Sequence, residues 1–296
     1  MVGFGEQRLV RSDVGLGHRT AFRVLGVADP AHYLHHRYLR RSLARLDVAP
    51  STILDAGCGS GDHTFYLARR FPQARVLGID INDALIARNR DLARGLRLSN
   101  VWFEVASVTE PIRGSFDVIV SIDVLEHLVE QRRALQHLHA ALGSRGLAFF
   151  HIPTVRPRPV PFSRWLGEFH TWAEEEHVAE DVTAAQFVSV VQEAGFGVVK
   201  AWPTFGYWSG ELATSLFALP FQNTRRNRAF QLMLAPMCRL LVMMDQLGSQ
   251  RTRFAIAVLL RKQSSDRNAR TFASGVKLWA GDNHPKAQTS VREGTG

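Results

Sequence analysis

Residues 53–70 read ILDAGCGSGDHTFYLARR. An apolar run ends at Asp55, glycines follow at Gly57, Gly59 and Gly61, and a helical pattern begins at once. Glycine lets a backbone turn sharply and approach a ligand closely. A helix opening from such a loop presents unpaired N–H groups and the positive end of its dipole to an anion, with Asp62 placed to cap it. That anion is a diphosphate or an amino-acid carboxylate. The dinucleotide fingerprint is spaced G-x-G-x-x-G, whereas this loop reads G-x-G-x-G behind an aspartate. The next strand, VLGID, ends in Asp80, which lies 23 positions beyond Gly57 and is placed to accept both hydroxyls of a ribose. Loop and acid together point to a nucleoside without identifying it.

Outward from this stretch, short apolar runs alternate with helical patterns, as in a parallel sheet with helices on both faces. The patterning predicts strands over 52–55, 75–80, 101–105, 116–122 and 146–153, with helices over 62–70, 83–94 and 127–142. An amphipathic helix over 31–46 precedes them, carried by Tyr33, Leu34, Tyr38, Leu39, Leu43 and Leu46, with His35 and His36 read as surface residues. The proline-rich TVRPRPVP over 154–161 interrupts the pattern. A helix over 183–194, a strand over 198–202 and a last strand over 253–260 follow. The organisation expected is an irregular arm over 1–30, one domain over 31–262 and a disordered tail over 263–296. Within that domain, segments 154–182 and 204–250 cover the acceptor side.

The 296 residues are 46% hydrophobic and 21% charged, which excludes a mainly disordered or fibrous chain. Two cysteines, Cys58 and Cys238, exclude a disulfide framework and a cysteine-rich zinc site. No continuous apolar leader occupies the first thirty residues, so a cytoplasmic protein is expected. The net charge is +9, and residues 221–263 hold eight basic side chains against one acid, Asp245. An anionic neighbour is expected there: nucleic acid, a lipid headgroup or a phosphorylated substrate.

The loop Asp55–Gly61, the acid Asp80 and the segment FDVIVSIDVLEHL over 116–128 resemble the class I S-adenosylmethionine-dependent methyltransferases, nearest to the broad group that includes quinone-biosynthesis enzymes and those of glycan or natural-product clusters. The resemblance spans about residues 34–262. It implies an α/β, Rossmann-like, seven-stranded and mostly parallel sheet with helices on both faces, plus a helical insertion before the last strand. It also implies S-adenosylmethionine as cofactor. Asp55 and the backbone of Gly57, with Gly59 and Gly61, would hold the methionine end of that cofactor. Asp80 would take the ribose hydroxyls and Ile81 would pack on the adenine. Ser107 and Val108 would border the adenine, and Ser121 and Ile122 would lie beneath the sulfonium.

Displacement at a sulfonium needs alignment and, for a hydroxyl acceptor, a proton acceptor working near neutral pH, a role that suits histidine. His177, before the helix over 183–194, is the first candidate; His151, closing the strand FFHIP, is second and His127 third. Asp123, Glu126 and His127 stand at i, i+3 and i+4. On a helix they would share a face and could hold a divalent metal. The plainer alternative, and the expectation, is that Glu126 and His127 cap the helix and line the pocket, with no metal.

On the acceptor side lie Trp165, Trp172, Trp202 and Trp208, and four of the five methionines fall between Met233 and Met244. Pro236, Arg239 and Asp245 make that methionine-rich run a poor transmembrane span. Arginines on both sides fit an anionic membrane surface met through 225–253; a helical hairpin packed on its own sheet or on a second subunit, giving an oligomer, is the plainer alternative. The function expected is methyl transfer to a small-molecule or lipid-linked acceptor at oxygen. A nicotinamide-dependent oxidoreductase has the wrong glycine spacing. A nucleic-acid methyltransferase would use the basic region, but the N-P-P-[YF] motif is missing and nucleic acid is not the expected partner.

Overall fold

The computed structural model describes residues 19–20, 30–47, 49–154, 182–206, 236–237, 239–245 and 255–263. Helix α1 (Pro30–Leu43) precedes a sheet of seven strands. In chain order these elements are β1 (Thr52–Ala56), α2 (Asp62–Arg70), β2 (Arg75–Asp80), α3 (Asp83–Gly95), β3 (Val101–Val105) and β4 (Phe116–Ile122). Next come a 3-10 turn (Leu125–His127), α4 (Gln131–Ala141), β5 (Leu142–Pro153), α5 (Ala184–Glu193), β6 (Phe196–Thr204) and β7 (Ala255–Lys262).

The strands lie in the order β3-β2-β1-β4-β5-β7-β6. All neighbours are parallel except β7, which runs antiparallel to both β5 and β6. From β1 the chain first winds outward through β2 and β3, then returns to β4 on the other side. A doubly wound sheet opens a crevice above the strand ends where the winding reverses. Here that place is between β1 and β4, and the Rossmann-like sheet expected from sequence is the one observed.

Both faces of the sheet are covered, which is why its strands read as apolar runs. Successive side chains alternate between faces. Phe149, Ala255 and Ala257 join Ile53, Val118 and Val120 in a core beneath α1, α2 and α3. Phe150, Ile256, Val258 and Leu260 join Leu54, Ile119 and Phe187 in a second core beneath α4 and α5. Helix α1 enters the first core through Leu34, Tyr38, Leu39 and Leu43, two four-residue steps along one buried stripe.

Local signals set several ends. Asn82 caps α3 by accepting from Leu85 N, and Thr183 with Gln186 forms a capping box on α5. Helix α2 departs from expectation: Gly61 in a left-handed conformation is its cap, and Asp62 instead accepts from Ser60 Oγ at 2.5 Å. The helix expected over 127–142 begins only at Gln131, because residues 125–127 close as a 3-10 turn and Leu128 is extended. Strand β5 begins at Leu142 rather than at 146, since Leu142 pairs with Phe116 before a register shift. The arm over 1–30 (apart from residues 19–20 and 30), the tail beyond 263 and most of the two cover segments lie outside the described residues.

Candidate functional site

The glycine loop crosses the mouth of the crevice. Gly57 N and Cys58 N both donate to Ile79 O at 2.8 Å, tying the end of β1 to β2. Gly57 has φ 78°, and a Cβ there would stand 2.3 Å from Val124 Cγ2. Gly59 is different: its φ is 49°, but no atom lies within 4 Å of where a Cβ would be. The backbone turns its bare side to open space at that residue, the arrangement that admits a ligand against the main chain.

Asp80 faces this loop. Its Oδ2 accepts from Gly59 N at 2.8 Å and its Oδ1 from Asn82 N at 2.9 Å. A carboxylate offers about four acceptor positions, and these two bonds fill two of them. Beside it Ile81 is 75% exposed, an apolar platform at the rim of the crevice. Asn89, buried in α3, donates to Gly59 O at 2.8 Å and steadies the loop from below; its role was not legible from sequence.

Asp55 lies beneath the loop, buried, with Oδ2 accepting from Thr64 Oγ1 at 2.5 Å. Burial pushes its pKa up to about 7, against the lowering effect of the Thr64 hydrogen bond. Burial likewise raises the Cys58 thiol. Ser121 Oγ donates to Ala56 O at 3.0 Å and fastens the end of β4 to that of β1, and Ile122 packs beside it on the first core. Val108 is buried in the second core. The Ser107 hydroxyl is engaged in its own turn, 2.7 Å from Thr109 Oγ1 and accepting from Thr109 N.

On the other side of the crevice, beyond β4, side chains converge from distant parts of the chain. Asp123 adopts φ 52°, and its N–H donates to His151 O at 3.0 Å. Its Oδ1 lies 2.6 Å from His151 Nδ1, and His151 Nε2 lies 2.9 Å from Thr204 Oγ1. Its Oδ2 lies 3.2 Å from His35 Nε2. The His35 ring packs on those of His151 and Phe205, with centroids 4.4 and 5.2 Å away, and His63 stands 6.4 Å off. Burial lowers the pKa of His35 to about 3 and that of His63 to about 4, so both rings are neutral at pH 7. Burial works against the Asp123 carboxylate, but His35 and His151 outweigh it and hold its pKa well below the ordinary value.

This arrangement corrects the reading of His35 and His36 as surface residues: they are 6% and 2% exposed, and His36 packs edge-on to Tyr66. It also rearranges the triad considered for a metal. Asp123, Glu126 and His127 do not share a helical face, because Asp123 is in the left-handed region and the other two lie in the 3-10 turn. Glu126 is buried, with its pKa raised by burial and by the charge of Asp123, and its Oε2 has no hydrogen-bond partner. His127 is 36% exposed, with Nε2 3.9 Å from Glu126 Oε1. His151, 2% exposed, has both ring nitrogens engaged. His177, Trp165, Trp172 and Trp208 lie outside the described residues, as does most of the basic region. Within that region Lys262 Nζ donates to Leu142 O, and the Arg239 guanidinium lies over the Tyr33 ring. Among the described residues no helix is long and apolar enough to cross a membrane.

Residues 31–201 match the family described as Methyltransferase domain. The chain is 38% identical over 101 residues to a trans-aconitate 2-methyltransferase of Deinococcus radiodurans, covering 34% of this chain and 37% of the relative. It is 31% identical over 140 residues to a ubiquinone biosynthesis O-methyltransferase of Nitrosococcus oceani, covering 47% of this chain and 58% of the relative. The matches thus span less than two thirds of either relative's length. Among solved structures, the O-methyltransferase from a trans-AT PKS multienzyme of Brevibacillus brevis, in complex with S-adenosyl-L-homocysteine, aligns with TM-score 0.52 and 14% identity, over 82% of this chain and 79% of that one. That likeness concerns the fold alone.

Proposed function

The chain belongs to the methyltransferase-domain family, and from that premise we propose that it transfers a methyl group from S-adenosylmethionine to an oxygen of a small-molecule or lipid-linked acceptor. The observation that carries the reading is the bare backbone of Gly59, open where a Cβ would be and anchored by its N–H to Asp80. A nucleoside laid over it meets the two remaining acceptor positions of Asp80 with its ribose hydroxyls and the face of Ile81 with its base. The methionine end then lies along Gly57 towards Asp55, whose carboxyl suits an ammonium group.

The donor is already activated. The acceptor oxygen gives its lone pair to the methyl carbon, the carbon–sulfur bond breaks towards sulfur, and the positive sulfonium becomes a neutral thioether. The hydroxyl proton leaves to a base. Of the described candidates, His127 is the one with an exposed ring. His151 instead braces Asp123. Much of the rate comes from alignment in a water-poor crevice.

Calorimetric titration with S-adenosylhomocysteine and, separately, with NAD tests the donor reading. S-adenosylhomocysteine should bind and NAD should not. Asp80→Ala should weaken S-adenosylhomocysteine by roughly 1.5–3 kcal/mol, the scale of hydrogen bonds to a charged acceptor. Equal affinity in the variant would remove the ribose from Asp80, and preference for NAD would replace the enzyme class.

A further inference from the structure

Helix α1, the end of β4 and the end of β5 bring His35, Asp123 and His151 together, and one nitrogen or oxygen from each lies within 4.8 Å of the others. Two of the three are almost fully buried, His35 at 6% and His151 at 2% exposure. His35 Nε2 is 3.2 Å from Asp123 Oδ2, yet that nitrogen has no hydrogen-bond partner. A buried polar atom without a partner calls for an explanation. The 3.2 Å contact is out of hydrogen-bond alignment, so the ring nitrogen is not aimed at the Asp123 oxygen.

We propose that His35, Asp123 and His151 bind one divalent first-row transition-metal cation. Two imidazoles and one carboxylate suit zinc, manganese, iron or cobalt, whereas magnesium and calcium prefer oxygen alone. Bonds of about 2.0–2.1 Å at a tetrahedral angle set neighbouring donors roughly 3.3 Å apart. The His35–Asp123 separation of 3.2 Å already matches. The 2.6 Å contact between Asp123 and His151 must widen, within reach of a small rotation of a carboxylate that is 39% exposed.

The surroundings fit as well. With His151 Nδ1 on the cation, its other ring nitrogen donates to Thr204 Oγ1 at 2.9 Å, the kind of support that fixes a ligating ring. The backbone N–H of Asp123 holds His151 O and locks β4 to β5 at the site. Three protein ligands leave a coordination position open. The use of that position rests on the function proposed above: a hydroxyl held there would give up its proton more readily.

The binding itself is tested without donor or acceptor. Chelator-stripped full-length protein is titrated with cobalt, read by visible d–d absorption, and then with zinc in competition. One cation per chain is expected. His35→Ala and His151→Ala should each weaken it by roughly 100-fold or more, and Thr204→Val by about 10- to 100-fold. His137→Ala, on α4, should leave it unchanged, and circular dichroism verifies that each variant is folded. Absence of stoichiometric binding, or equal affinity in folded His35→Ala and His151→Ala, overturns the proposal. S-adenosylhomocysteine affinity measured on the same samples separates the two readings. Cation binding without S-adenosylhomocysteine binding breaks only the donor assignment; the reverse breaks only the metal site.

Discussion

Between Asp55 and Asp80 the crevice is made of backbone: Gly57 and Gly59 at positive φ, N–H groups donated to Ile79 and Asp80, and a Cβ-free face at Gly59. Around Asp123 it is made of side chains: His35 and His151 with ring support from Phe205 and a hydroxyl from Thr204. The first region is continuous in sequence apart from one strand crossing. The second joins residues up to 170 positions apart, from His35 to Phe205. A backbone site needs particular residue types at fixed short spacing, so it writes a motif. A side-chain site needs only that four elements end near one another, and it writes none.

The contrast can be broken most severely at Gly57. Gly57→Val places branched carbons where Val124 already stands and forces a β-branched residue to positive φ. The combined strain and overpacking should lower stability by roughly 2–5 kcal/mol and abolish S-adenosylhomocysteine binding. Urea unfolding with calorimetry measures both, and a stable, donor-binding variant would show that the loop tolerates side chains after all.

Asp55 sharpens the comparison through pH. An acid whose pKa rises on folding holds its proton better in the folded chain, so stability falls as pH rises from the ordinary 3.8 to about 7. At about 1.4 kcal/mol per pH unit, the full cost of that ionisation above pH 7 is on the order of 4 kcal/mol. Asp55→Asn removes the ionisation and keeps an oxygen for Thr64. Without donor it should exceed the native chain in stability by on the order of 3 kcal/mol at pH 8, with the gap closing towards pH 5. A gap independent of pH, read from urea midpoints, would mean that no buried charge is held under the loop.

The smallest effect separates the two regions functionally. His127→Ala should lower turnover by ~10²-fold while S-adenosylhomocysteine affinity stays as it was. If affinity fell in step with turnover, His127 would belong with the donor side.

Most of the sheet was legible because it is wound locally: β2, β3 and β4 have the limits that apolar runs and punctuating glycines predict. The loop and Asp80 were legible for the same reason. His35 was not, because a histidine between Leu34 and Tyr38 reads as polar until Asp123 and His151 are known to stand against it. Its position within the buried stripe of α1 was the available signal. Thr204 and His63 carried none, since hydroxyls and imidazoles at strand and helix ends are usually solvated. The start of α4 was misplaced because the 3-10 turn and the extended Leu128 interrupt a run whose composition alone is helical.

The hydrogen bond from Ser121 to Ala56 clamps the two strands on which the crevice opens. A floor fastened in this way cannot widen to suit a bulkier guest. Room for a larger guest has to come from above, where α1 and, among the described residues of the β6–β7 connection, Phe205 and Val242 meet the sheet. On the function proposed above, the clamped floor would serve the donor and the elements above it the acceptor, so a change of selectivity would leave Ser121 and Ala56 untouched.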